Sequence, residues 1–268
     1  MATSSLDHTV RIWTNSLSEN FPSHALRSHN ACVRSLAFSS DSKLLISGSD
    51  DKTVKLFNVY FLSIKKKAFS KKFVRSFVGH KNWVRSVRFS LSNETIASGS
   101  DDRWLKIWDS ETGKVLQQFQ EHTGVINAVR YLPDNNCVAS SSEDKSVRIY
   151  DVRCSQLLQL YHAASSGVND ISFHPSGIFF MKTTKIGYYM LSTANDSKVK
   201  IWDLRQGKAL FTLYAHEGTV NACDFSFVGD YFATGGADKS INIWQSNFLQ
   251  SGSTENKLHE SSVQQQSK

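Results

Sequence analysis

Only 3 prolines and 4 cysteines occur among the 268 residues, and each shortage removes a class of protein. With 14 glycines and so little proline, the chain is neither collagen-like nor low-complexity. Cys32, Cys137, Cys154 and Cys223 are scattered without a CxxC pair, so neither a zinc site nor a disulfide framework is expected. They read as reduced packing residues. No run of about 18 apolar residues suggests a membrane span, and no charged-then-apolar leader suggests secretion, which makes an intracellular protein the expectation. A phosphate-cradling glycine loop, a GxSxG elbow, an HExxH and a carboxylate pair with a nucleophile are all missing, so an enzyme is not expected. No cofactor, metal or small-molecule ligand is expected either.

Net charge is also scarce once it is located. The formal +7 is concentrated between residues 60 and 76, where Lys65, Lys66, Lys67, Lys71, Lys72 and Arg75 account for six of the seven charges. The rest of the chain is nearly neutral, which leaves a nucleic-acid partner resting on one lysine-rich stretch without interleaved motifs.

What the chain has in abundance is self-similarity. Aligning on the aromatic that ends each "xVKIW"-like segment gives Trp13, Phe57, Trp108, Tyr150, Trp202 and Trp244, with steps of 44, 51, 42, 52 and 42 residues. Six residues before each stands an aspartate: Asp7, Asp51, Asp102, Asp144, Asp196 and Asp238. Ten residues before each stands a hydroxyl, from Thr3 to Thr234. Twenty-two residues before the aspartate come His29, His80, His122 and His216; in the unit ending at Trp202 the candidate is His162, 34 residues back. Segments such as "VRSVRFS", "TIASGS", "LKIWD" and "VLQQFQE" alternate with period 2 and are separated by polar turns, which predicts four short strands per unit. An aspartate in a tight turn beside a histidine, a hydroxyl and an indole N–H can have its lone pairs satisfied away from water. These recurring residues are therefore read as structural. Phe57 has no donor, so its unit loses one bond of the set.

A unit of about 42 residues ending in Trp-Asp, with Gly79-His80 at one start, resembles the WD40 repeat family. The resemblance covers residues 1 to about 246 and implies an all-β fold, a β-propeller. Residues 1–28 are expected to form a partial blade that the chain enters at its second strand. Residues 29–246 form five complete repeats, interrupted by insertions near 59–72 and 178–189, and residues 247–268 a polar, Ser/Gln-rich disordered tail. The family pattern of seven blades makes the expectation an open or truncated propeller.

Function then belongs to side chains presented at the blade faces. The family's contact positions, at the start of the first strand and just before the turn aspartate, fall here on Arg34, Asp50, Trp83, Arg85, Asp101, Asn127, Glu143, Asn169 and Asn221. Trp83 with Arg34 and Arg85 has the composition of an interface anchor. Trp104 stands where other units carry Thr9, Thr53, Ser146, Lys198 or Ser240. For each, packing against a neighbouring blade is the alternative.

Several stretches are more specific. "LLISGSDDKTVKLF", "VGHKNWVRSVRFS", "LLQLYHAASSGVNDISFHPSG" and "GDYFATGGADKSINIWQSNF" resemble the centriolar WD-repeat family called proteome of centriole protein one. That resemblance implies a non-catalytic scaffold of centrioles and basal bodies, supporting centriole stability and cilium formation. Its implied partners are centriolar proteins and tubulin or microtubules, with no membrane. Its implied location is the cytoplasm and cytoskeleton, at the centrosome and cilium base. The tail carries no apolar heptads, which puts coiled-coil self-association in doubt. The competing reading is a substrate receptor of a cullin-type ubiquitin ligase, because "IYDVR" and "IWDLR" resemble a docking signature in which Arg153 and Arg205 would be the contact residues.

Overall fold

A computed structural model describes residues 1–13, 23–59, 73–175 and 189–246. The two predicted insertions and the tail fall almost wholly outside the described residues, as do the five lysines of the basic stretch. The described chain is all-β: 22 strands in six antiparallel sheets, with no helix long and apolar enough to cross a membrane.

The sheets follow the repeat. β1 (Ala2–Ser4), β2 (Val10–Trp13) and β3 (Ser23–Leu26) form the first, in the second-, third- and fourth-strand places expected of the partial blade. β4 (Val33–Phe38), β5 (Leu44–Ser49), β6 (Thr53–Asn58) and β7 (Phe73–Val78) make one full blade, and β8 (Val84–Phe89), β9 (Thr95–Ser100), β10 (Leu105–Asp109) and β11 (Val115–Phe119) the next. β12 (Ile126–Tyr131), β13 (Cys137–Ser142), β14 (Ser146–Asp151) and β15 (Gln156–His162) follow in order, then β16 (Val168–Phe173), β17 (Tyr189–Ala194), β18 (Lys198–Asp203) and β19 (Lys208–Tyr214). The last sheet has three described strands, β20 (Val220–Phe225), β21 (Tyr231–Gly236) and β22 (Ile241–Gln245).

The contacts divide the chain into two compact units, Met1–Tyr131 with Asp151–Gln156, and Leu132–Tyr150 with Leu157–Lys268. In the first unit, Val84 and Val87 of β8 press onto Gly48 of β5, and Ile126 and Val129 of β12 onto Gly99 of β9. A side chain at either glycine would occupy the space these β-branched groups fill. Val10, Ile12 and Leu26 bury against Val33, Leu45 and Phe57. In the second unit Leu191, Val199 and Ile201 pack against Val220, Cys223 and Phe232. Only Cys137 and Cys223 are buried; Cys32 is half-buried and Cys154 exposed, which corrects the reading of all four as packing residues.

Turn chemistry sets the hairpins. The residue after the turn aspartate has positive φ in all six sheets: His8, Lys52, Arg103, Lys145, Ser197 and Lys239. In three of them its N–H closes the turn on a serine carbonyl, Lys52 to Ser49, Arg103 to Ser100 and Lys145 to Ser142. The aspartate carries the left-handed residue that follows by accepting the next N–H, as Asp51 Oδ1 does from Thr53 at 3.0 Å. The first strands are bulged. Register shifts fall between Val33 and Ser35, Val84 and Ser86, Val168 and Asp170, and Val220 and Ala222. The skipped residues are Arg34, Arg85, Asn169 and Asn221, and such an extra residue is freed from the pleat and re-aimed.

Candidate partner-binding site

Beneath each turn lies the polar set that the spacing picked out. His80 Nδ1 stands 2.8 Å from Asp102 Oδ2 and Nε2 2.7 Å from Ser98 Oγ, while Trp108 Nε1 donates to the same Ser98 Oγ at 2.7 Å. His216, Asp238, Thr234 and Trp244 repeat this arrangement. His29 bridges Asp51 and Ser47 in the blade ending at Phe57, where no indole contributes. Asp7 and Asp144 hold their own turns, accepting from the N–H of Thr9 and of Ser146. His122 is buried at the corresponding place.

One expectation fails. His162 is an exposed residue at the end of β15 and does not serve Asp196. Ser165 donates its N–H at 3.2 Å and its hydroxyl at 2.9 Å to Asp196 Oδ2 instead. Counted back from the first strand, the histidine place is held by Ala164, and the next residue supplies the bonds, as Asn30, Lys81 and Glu217 do through their N–H groups elsewhere.

Burial opposes ionisation of Asp51 and Asp102, but hydrogen bonds from His29 and Thr53 to the first, and from His80 to the second, carry both carboxyls below the ordinary carboxylate value. Both carboxyls are thus ionised at neutral pH.

On this platform the residue preceding the turn aspartate is tied back to the start of the first strand in four of the sheets. Its N–H donates to a carbonyl there: Asp50 to Cys32, Asp101 to Trp83, Asn195 to Gly167 and Ala237 to Thr219, at 2.9 to 3.0 Å. The bulge residue then meets the turn residue. Arg34 holds Asp50 through Nε and through Nη2 at 2.8 Å. Arg85 holds Asp101 through Nε and, at 3.2 Å, through Nη2. Asn169 donates to Asn195 Oδ1 at 2.8 Å. The Arg34 guanidinium lies 5.0 Å from the centre of the Trp83 ring, and Trp83 remains 41% exposed. Hydrogen bonding to Asp50 raises the Arg34 guanidinium above its ordinary value, against the opposing effect of burial.

Of the residues singled out from the sequence, Arg34, Asp50, Trp83, Arg85 and Asp101 therefore form one patch on the first unit, where each guanidinium is already neutralised and fixed. What the patch offers is a rigid aromatic surface with orientated donors rather than free charge. Asn127 is half-buried in β12. On the second unit Glu143 lies over Gly167, leaving no room there for a side chain, and Asn221 takes the Thr219 hydroxyl at 3.2 Å. Trp104 gives its N–H to Asp102 but supplies no hydroxyl, whereas Thr53 Oγ1 reaches Asp51 at 2.6 Å in the same place. Its ring instead covers Lys106, whose ammonium lies 5.7 Å from Trp104 and 5.8 Å from Trp108. Burial lowers the pKa of Lys106. The pairing of arginine with aspartate had a sequence signal, opposite charges 16 residues apart in two successive repeats.

Arg153 is drawn back onto its own strand, with Nη2 2.8 Å from Asp151 Oδ2, and Arg205 gives its N–H to Asp203. Among the described residues no group of three or more His, Cys, Asp or Glu side chains could hold a metal ion.

The WD domain, G-beta repeat family matches residues 20–58, 71–109, 113–151, 155–203 and 207–245. The nuclear distribution protein nudF of Aspergillus oryzae is 37% identical over 263 residues, covering 92% of this chain and 55% of that protein. A ribosome biogenesis protein WDR12 homolog of Anopheles gambiae is 29% identical over 274 residues, covering 91% of this chain and 58% of that protein. A guanine nucleotide-binding protein subunit beta of Oryza sativa is 33% identical over 125 residues, 44% of this chain and 30% of that protein. The chain thus spans little more than half of the relatives it matches most broadly.

Proposed function

The chain belongs to the WD40 repeat family, and on that premise we propose that it is a non-catalytic scaffold of centrioles and basal bodies that holds partner proteins at the turn face of its first unit. The observation that carries the binding role is the half-exposed Trp83 under the Arg34 guanidinium, flanked by two arginine–aspartate pairs. Aromatic and arginine anchors on rigid supports dominate interface energetics, and here the bulge and the turn fix both before any partner arrives.

The centriolar assignment rests on the sequence resemblance of residues 229–248 and the other quoted stretches. The relatives named above speak of ribosome biogenesis and nuclear distribution. The ubiquitin-ligase reading is weaker, because the Arg153 guanidinium is engaged by Asp151. The test is fluorescence imaging of the tagged chain beside a centriole marker in ciliating cells. Discrete centriolar dots are expected; a diffuse or nuclear signal from folded protein would overturn the assignment.

A further inference from the structure

The acids and bases of the first-unit patch are unequally exposed. The side chains of Asp50, Asp51, Asp101 and Asp102 are each no more than 11% exposed, while those of Arg34 and Arg85 are 33% and 32% exposed. Every one of these carboxylates is engaged at its turn, Asp50 and Asp101 by arginine, Asp51 and Asp102 by histidine. Each guanidinium meets its aspartate through Nε and Nη2. The two N–H groups on Nη1 therefore have no partner among the described residues. Arg34 also feels the charge of Asp101, so the two pairs stand side by side, with the half-exposed Trp83 ring under the first.

The patch itself is neutralised, but its rim is not. Lys52 and Arg103, the left-handed residues of the two turns, and Lys81, two residues before Trp83, are all exposed. None of these three side chains makes an ion pair or a hydrogen bond among the described residues. At the bulges of β16 and β20 in the second unit the residues are Asn169 and Asn221, so the outward guanidinium ends belong to the first unit.

We infer that this face takes an acidic peptide segment, in which an apolar side chain covers Trp83 and flanking carboxylates receive the Nη1 groups of Arg34 and Arg85, with Lys52, Lys81 and Arg103 at the rim. The inference rests on the reading of this face as the binding site and adds the chemistry of what binds there. Hydrogen bonds from a guanidinium to a carboxylate are about twice as strong as neutral ones, and a rim of one sign steers the complementary partner and penalises a basic one. A nucleic acid fits less well. Four carboxylates lie beneath the patch, and a strand with a phosphate at every nucleotide would carry charge over them, whereas a peptide places its carboxylates only where donors wait.

Selection of a phage-displayed random peptide library on the immobilised full chain tests this, with the binders measured again as synthetic peptides. Expected are peptides rich in Asp and Glu around an apolar residue, whose affinity falls about tenfold or more in Lys52→Glu/Arg103→Glu and in Trp83→Ala, with thermal melting unchanged. Lys81→Glu, which lies outside the left-handed turn positions, keeps the test open should the double variant fail to fold. Binders that need Trp83 but carry no acidic bias, or that hold the folded charge variants as tightly as wild type, would overturn the inference and leave the face standing as a binding site. Acidic binders indifferent to Trp83→Ala would overturn both readings. A selection that enriches no peptide, or mixed-sequence single-stranded RNA that displaces the peptides at lower concentration than they bind, would overturn the inference as well.

Discussion

His80 sets the charge state and shape of its turn at the scale of single residues. Its imidazole ties a buried carboxylate to a buried hydroxyl, and that hydroxyl in turn receives the Trp108 indole. Truncation leaves Asp102 and Ser98 buried without those bonds, so His80→Ala is expected to cost roughly 3 kcal/mol in urea unfolding. The acid dependence has a definite sign. Asp51 and Asp102 are held below the ordinary 3.8 in the folded chain, so their contribution is complete above that pH and is lost as the pH falls toward the folded value. Wild type and Asp102→Asn should therefore differ most near neutral pH, and the gap should narrow steadily as the pH falls below 3.8 toward the folded value. A gap that stays constant with pH would contradict this. The aspartates and most histidines were legible because identical roles recur at identical spacing. His162 misled because spacing was stretched across an insertion, and a backbone N–H with a serine hydroxyl can meet the same carboxylate.

At the scale of elements, the glycine of the second strand separates a covered face from an open one. Gly99→Ala forces a methyl onto Ile126 and Val129 and is expected to destabilise the chain by about 1–3 kcal/mol. Gly235→Ala meets open space and should raise stability by about 0.5–1 kcal/mol, since alanine loses less backbone entropy in a strand. Parallel thermal melts decide this; equal losses at both positions would show that the Gly235 face is covered. Strand order and turns followed from period-2 patterning and the repeating aspartate. The bulges did not, because one extra residue in a first strand leaves the apolar pattern almost unchanged. They are nevertheless what turns Arg34 and Arg85 toward Asp50 and Asp101. Trp104 was legible only as an exception, and its contact with Lys106 depended on two strand positions facing the same way.

For the whole molecule, the repeat architecture was legible in the sequence, and of the residues it singled out Arg34, Asp50, Trp83, Arg85 and Asp101 stand together, while the charge lies mainly in residues outside those described. The central claim is that a folded scaffold captures its partners through Trp83 and its arginine neighbours. The most direct measurement compares wild type with Trp83→Ala/Arg85→Glu, each tagged and expressed at equal level, by centriolar fluorescence and by partner recovery from the same cells, with thermal melting as the control for folding. Loss of at least about tenfold in both readouts, with melting unchanged, is expected for a hot spot of this composition. Wild-type recovery and centriolar signal from the folded double variant would contradict the account.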